Sequence, residues 1–336
     1  LDARLDKVLL TQTLKDGGTL SRNPSKHLAI LRDLIDIRTA YVSSGYEPSK
    51  LLRETIKIMA SILQFFRHGD GMLALFNGGI EEESWLVDIV LERSEERKKP
   101  PDSLPLTGFE RLTRNRTIVI LDVGMSPPRG FDLEAHAGAL SFELSIGKER
   151  LIVNCGAHIG DSQEWRIAQR STAAHSTVSV ENINSAEVLS KGGLGNRPKK
   201  CSVTRNERDG EVWLETEHDG YCGIFGLLHQ RKLHLNSSGT YFRGEDSLIG
   251  QFGHKFTVRF HLHPSVRSSL IQNGTSVLLR LPSGEGWRFR AVNGVLGLQE
   301  SVYLGAGDRI KRSQQIVVSS ATSDKIRSIK WMFARV

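Results

Sequence analysis

Two histidines and an asparagine stand at the ends of apolar runs near the middle of the chain: His136 in AHAGALSFELS, Asn154 in RLIVNCG and His175 in STAAHSTVSV. Side chains alternate along a strand, so Leu140, Phe142 and Leu144 share one face while Ser141, Glu143 and Ser145 take the other. His175 opens the strand HSTVSV in the same manner. Imidazole and amide groups are costly to bury unless something binds them. Two imidazoles and an oxygen donor on three neighbouring strands therefore suit a metal or substrate site. The same spacing suits two histidines bonded to backbone at strand ends, the commoner arrangement, and the sequence leaves both readings open.

The elements that position these residues follow from periodicity. Leu1, Leu5, Val8, Leu9 and Leu14 form one helical stripe, ended by Asp16-Gly17-Gly18, where glycine supplies a left-handed cap. Asn23-Pro24 predicts a second helix with asparagine as N-cap, and Leu28, Leu31, Leu34 and Ile35 carry it to about Thr39 before Ser44-Gly45 breaks it. A third helix from about Ser49 turns Leu52, Ile56, Met59, Ile62, Leu63 and Phe66 to one side. Three helices with this much apolar face cannot bury it by themselves. Arg67-His68-Gly69-Asp70-Gly71 reads as a loop, either facing a substrate or closed by an Arg–Asp pair, and MLALF as a short strand or helix. ERSEERKKPPD, from Glu92 to Asp102, reads as an exposed connector. From about Gly108 the text is β throughout: TIVILDV, EVWLETE, KFTVRFHLH, SVLLRLP, GWRFRAV, SQQIVVSS and IKWMFAR. Strands in such number, with no helical period between them, imply antiparallel sheets packed face to face. The expected organisation is α+β and multidomain, with helices over 1–82, a linker over 83–107 and a β-sandwich over 108–336.

With 336 residues, 39% hydrophobic and 25% charged, the chain is long enough for two domains. No apolar run approaches the roughly 18 residues of a membrane span. A net charge of +7 favours anionic partners. The charge is spread, with small clusters only at 97–99 and 198–200, and 32 glycines suit turns, so a nucleic-acid module is not expected. Cys155, Cys201 and Cys222 are too widely spaced for a disulfide framework and read as three buried thiols ahead of one bridge. GxSxG, GxxxxGK[ST] and HExxH motifs are absent, which argues against serine hydrolase, nucleotide-binding and zincin chemistry.

The order AHAG, strand, VNCG, arginine-bearing loop, AHSTV resembles the C-terminal β-domain of the heparinase II/III-like proteins, polysaccharide lyases and their uncharacterised bacterial relatives. DGGTLSRNPS, FFRHGDGMLALFNGG, GFERL, HDGY, FGLLH, FHLHP and QQIVV extend the resemblance over nearly the whole chain. It implies the last few helices of a partial α/α toroid followed by an antiparallel super-sandwich, with a cleft between the two. It also implies an anionic, uronate-containing polysaccharide as partner and a bacterial cell envelope or periplasmic location; any signal peptide would lie upstream of Leu1. His136, Asn154 and His175 would match a His, Asp, His set around a divalent ion, zinc or manganese. Asparagine here replaces the expected aspartate and is the weaker ligand, unless another acid such as Glu143 completes the set.

Lyases of this kind cleave by β-elimination, neutralising the uronate carboxylate, presenting a base to C5 and protonating the departing O4. Within Arg22-Asn23-Pro24-Ser25-Lys26-His27 the resemblance places a tyrosine near Lys26 and a histidine at His27. Asn23, Lys26 and His27 are thus candidate catalytic residues, with Arg22 beside them for substrate. Lysine serves as base only if burial lowers its pKa, and the alternative is a capped helix start with a solvated Lys26. Tyr221, next to His218 and Asp219, is the runner-up acid or base. Glu134 stands where some relatives carry a histidine of the catalytic set, and Glu134, Arg170 and His229 are the remaining substrate-binding candidates. His261 and His263 share a strand face, as a metal pair or as sheet covering. Two functions compete: a lyase cleaving an anionic glycan, and a non-catalytic glycan-binding or envelope-structural protein on the same fold. The missing tyrosine and aspartate push toward the second.

Overall fold

The computed structural model describes residues 2–307, 309–323 and 327–336; Leu1, read above as part of the first stripe, lies outside them. Four helices come first: α1 (Asp2–Gln12), α2 (Pro24–Ser43), α3 (Lys50–Phe65) and α4 (Ser84–Ser94). Asn23 caps α2 by accepting from the Lys26 N–H at 3.1 Å, and Ser49 caps α3 by accepting from the Leu52 N–H at 3.1 Å. α1 stops short of Asp16, whose carboxylate instead accepts from the N–H groups of Leu106 and Thr107 at 2.8 and 2.7 Å. α4 is an addition, inside the span expected as linker. Its sequence SWLVDIVLERS turns Leu86, Val87, Val90 and Leu91 to the helical core, a helical spacing that the reading of this span as connector passed over. MLALF forms neither helix nor a regular strand, although Leu73 to Phe76 are fully buried.

The strands are β1 (Ser103–Leu104), β2 (Phe109–Arg114), β3 (Thr117–Asp122), β4 (Phe142–Ile146), β5 (Glu149–Val153), β6 (Val178–Val180), β7 (Cys201–Arg208), β8 (Glu211–His218) and β9 (Leu227–Leu235). They continue as β10 (Tyr241–Gly250), β11 (Lys255–Leu262), β12 (Arg267–Ile271), β13 (Ser276–Arg280), β14 (Gly286–Val292), β15 (Val295–Tyr303), β16 (Lys311–Ala321) and β17 (Ser328–Arg335), with short helices α5 (Gln163–Ala168) and α6 (Cys222–Phe225) between. One sheet runs β1-β2-β3-β4-β5-β11-β16-β15 with β6 also on β11, and the other β12-β13-β14-β17-β10-β9-β8-β7. The described strand pairs are antiparallel, as expected from the alternation.

The two sheets bury a common core in which Phe142, Phe260 and Trp331 pack with ring centroids 4.9 to 6.1 Å apart. The helices bury their stripes on the other face of the first sheet, where Phe66 meets Phe109 edge-on at 5.0 Å beside Leu104 and Ile120. This contact supplies the apolar surface that the helices alone lack. The first sheet is therefore covered on both sides, and all five residues of β4 are buried, Glu143 and Ser145 included. Of the three free thiols only Cys155 is buried, whereas Cys201 is partly exposed and Cys222 exposed; the expectation of three buried thiols is corrected to one.

Candidate functional site

β5 and β6 both pair with β11, β5 through Val153 and β6 through Val178 to Val180, and the chain between them leaves the sheet and returns. Asn154 lies at the exit and His175 at the return. Ser176 bridges them, its hydroxyl donating to the Val153 carbonyl at 2.8 Å and accepting from the His261 N–H at 3.0 Å. His136 arrives on the loop before β4, its N–H 3.3 Å from Oδ1 of Asn77. Asn77 is in the left-handed region (φ 50) and also donates to the Arg22 carbonyl at 3.1 Å, tying the start of α2 to this wall.

His136 Nδ1 and His175 Nε2 are 2.9 Å apart, although both lie on loops rather than at strand ends. The bonding pattern fixes both tautomers. His175 Nδ1 lies 2.7 Å from the Ser171 carbonyl, which only accepts, so Nδ1 carries the proton and Nε2 a lone pair. His136 Nδ1 therefore donates to it, which leaves a lone pair on His136 Nε2, a buried atom with no protein partner. His136 lines a recess of about 10 Å³ shared with Arg22, Asp122 and Ser185, room for about one water. Burial holds both rings neutral, lowering His175 to about 4 and His136 well below the usual imidazole range.

Asn154 is fully buried and both ends of its amide are spent: Oδ1 accepts from the Ser176 N–H at 3.0 Å, and Nδ2 donates to the Leu75 carbonyl at 3.2 Å. Glu143 does not turn to the histidines. It accepts from the N–H groups of Asn154 and Leu75 at 2.8 and 3.2 Å and meets His68 Nε2 at 3.0 Å, and burial raises its pKa to about 7. Both nitrogens of His175 and the oxygen of Asn154 are engaged by protein groups, so zinc or manganese at this trio would have to displace those bonds. Among the described residues no three His, Cys, Asp or Glu side chains converge on a common point.

Residues 96–332 match the family model described as Heparinase II/III-like, C-terminal. The chain belongs to the heparinase II/III-like family. It is 30% identical to FtsZ-localized protein C of Caulobacter vibrioides, an alignment covering 100% of this chain and 61% of that protein. Its fold is that of the heparan sulfate lyase HepC of Pedobacter heparinus, with TM-score 0.80 and 17% identity over 99% of this chain and 55% of the lyase. A heparinase III structure gives TM-score 0.82 at 15% identity over 100% of this chain and 55% of that one. The chain thus spans somewhat over half the length of these relatives.

The structure gives the other residues that the heparinase resemblance singled out mostly architectural bonds. Asn23, besides capping α2, donates from Nδ2 to the Asn77 carbonyl at 2.9 Å. Arg22 is buried over the Phe109 ring and donates to the carbonyls of Thr107, Gly108 and Met125 and to Asp122. His27 lies in the helical core on the Met59 carbonyl at 2.7 Å, burial lowering its pKa to about 4. Lys26 is half exposed and pairs with Glu134 at 2.9 Å, the solvated position that the helix-cap reading expects. Gly78 lets this pair approach the site wall: at its φ of +84 a Cβ would come within 3.1 Å of Glu134. Arg170 clips the loop beyond β6, donating to the carbonyls of Ala135, Leu189 and Gly193.

Tyr221 and His229 require correction as site residues, because Tyr221, at the start of α6, and His229, at an inward position of β9, both lie buried in the sandwich. Tyr221 is fully buried with its hydroxyl donating to the Val178 carbonyl at 2.8 Å. His229 donates from Nε2 to Asp246 at 2.8 Å and accepts from His218 at 3.0 Å, His218 in turn accepting from the Gly220 N–H. Arg231 meets Asp246 at 2.7 and 3.0 Å and reaches across the sandwich to the carbonyls of Leu140 and Ser176 at 2.6 and 2.9 Å. It so holds from behind the segments bearing His136 and His175. Sequence reading missed Arg231 and Asp246; the available signal was charge at core-facing positions of β9 and β10, where the two residues are cross-strand partners. The RHGDG loop likewise finds distant partners: Asp70 bonds Arg150 at 2.7 Å and Arg67 bonds Asp88, so the expected pair within the loop is replaced by two outside it. His261 and His263 also part ways, the first to Ser301 and the Ala173 carbonyl, the second to Ser265.

Proposed function

We propose that this protein binds an anionic, uronate-containing glycan on the heparinase fold without carrying out elimination. One observation carries the reading: the side chains standing at the elimination positions are already committed. Asn23 and Asn154 spend both amide atoms on neighbouring groups, His175 spends both nitrogens, His27 is in the helical core, and Lys26, in place of the tyrosine, is paired at the surface. Elimination needs a base free to take the C5 proton and a donor within reach of O4, and these groups offer neither. The net charge of +7 still attracts a polyuronate. In this reading the N-terminal helices are the last of an α/α toroid, the cleft passes His136, and the polymer belongs to the bacterial envelope. The FtsZ-localized relative carries a place in its name rather than a reaction, which suits a binding role.

A lyase is the second reading, favoured by one atom. The lone pair on His136 Nε2 is held by a fixed chain of bonds and has no partner, as a proton acceptor would be. Incubation with heparan sulfate, hyaluronan and alginate separates the two. Ultraviolet absorbance of an unsaturated uronate reports cleavage, and calorimetry on the same polymers reports binding. Binding without absorbance is the expected result. Absorbance that His136→Ala abolishes would establish the lyase, and binding to none of the polymers would sink the glycan reading.

A further inference from the structure

The second sheet turns its outward face away from His136, and that face carries a hollow of about 570 Å³. One register row crosses it. Arg290 on β14 lies opposite Met332 on β17, Met332 opposite Arg243 on β10, Arg243 opposite His234 on β9, and His234 opposite Trp213 on β8. Trp213 stacks on His234 with ring centroids 4.9 Å apart and covers it, leaving the His234 side chain 11% exposed.

Charge in this groove is unevenly settled. Lys232 pairs with Glu215 at 3.3 Å, His234 with Glu211 at 2.8 Å and Lys330 with Glu245 at 3.9 Å. Arg243 has no bonded partner among the described residues, and Arg290 contacts only the neutral Gln272 and Ser276. The two arginines stand two strands apart, with about 10 Å between their backbone positions and Met332 between them. Beside them the lining is apolar or spent: Ala291, Val292, and Tyr241 with its hydroxyl on the Met332 sulfur.

We propose that this groove docks an extended, acidic and apolar peptide segment of a partner protein. Tryptophan, tyrosine, methionine and arginine are the residues enriched where proteins meet, and tryptophan, tyrosine and arginine carry most of the binding energy there. A sugar chain is the poorer fit, because its hydroxyls would be buried against Met332, Ala291 and Val292 without partners. The row from Arg290 to Trp213 crosses four strand spacings, about 19 Å, which an extended segment of about six residues spans. Carboxylates of such a segment meet Arg243 and Arg290, and its apolar side chains fall on Met332, Tyr241 and Trp213. The groove is on the far side of the sandwich from His136, so its occupancy and the glycan reading stand or fall separately.

The test uses the full chain. A phage-displayed library of random linear peptides is selected on the wild-type protein, and the enriched peptides are resynthesised with a fluorophore. Their polarisation is then titrated with wild type and with the double variant Arg243→Glu, Arg290→Glu, both exposed positions, checked by an unchanged thermal melt. We expect enriched peptides that combine Asp or Glu with apolar residues and a loss of about tenfold or more in affinity on charge reversal. Peptides with their acids changed to lysine should then prefer the variant. No enriched binder, no acidic preference, or equal binding by both proteins would overturn the proposal. Heparan sulfate oligosaccharides whose binding is lost in the double variant would assign the groove to a glycan and overturn it equally.

Discussion

Replacing Asn154 by aspartate tests the description of the site most directly, because it restores the residue that a divalent-metal set requires at almost unchanged volume. The structure predicts damage instead. The new carboxylate keeps the bond from the Ser176 N–H but sets an oxygen, where Nδ2 was, against the Leu75 carbonyl. It is fully buried, and Glu143 is held on the N–H of the same residue at 2.8 Å. Burial, a facing carbonyl and a second carboxylate all disfavour its charge. A rise of about three units over the ordinary aspartate value of about 3.9 costs about 4 kcal/mol at pH 7. The sign follows from a raised acid: the deficit vanishes below about pH 4, is about 1.5 kcal/mol at pH 5 and is complete near pH 7. Urea unfolding of Asn154→Asp beside wild type at pH 5 and pH 7 measures it, with and without zinc. Zinc should not rescue the variant, since both nitrogens of His175 remain bonded. A deficit below about 1 kcal/mol at pH 7, or stabilisation of the variant by zinc, would refute the bonding pattern drawn here for Asn154 and His175.

Wild type should lose stability as pH falls from about 6.5 toward 4.5, because burial holds His27 and His175 near 4 in the fold while the unfolded chain takes up their protons. Glu143, raised to about 7, works in the opposite direction over the same window, so these three groups leave a net loss of about 1 kcal/mol per pH unit, and equal urea midpoints at pH 7 and pH 5 would contradict it. Tyr221→Phe should cost about 1 kcal/mol for the bond to Val178 and leave glycan affinity unchanged in calorimetry; a selective loss of affinity would put the hydroxyl within reach of ligand. Asp246→Ala strands the buried Arg231 and should cost about 3–5 kcal/mol in thermal or urea unfolding, where a loss below about 1 kcal/mol would show the pair to be solvated. Lys26→Glu, which sets two acids side by side at the rim, should weaken uronate binding with no change in melting temperature.

Local chemistry alone determined the start of α2 at Asn23-Pro24, the start of α3 at Ser49 and the strands of the sandwich, since capping and alternation act over a few residues, whereas the meeting of His136 with His175 was expected only through the family resemblance. The state of those histidines is not local. Which nitrogen holds the proton depends on Ser171 and on the partner ring 39 positions away, and the role of Asn154 depends on Leu75, 79 positions before it. The same holds for Tyr221 and His229, whose polar types suggested a site although both are buried between the sheets. A polar side chain reads identically in the sequence whether its partner is a ligand or a backbone carbonyl. Packing decides between them, because a buried donor or acceptor must be satisfied by whatever distant segment the fold brings to it.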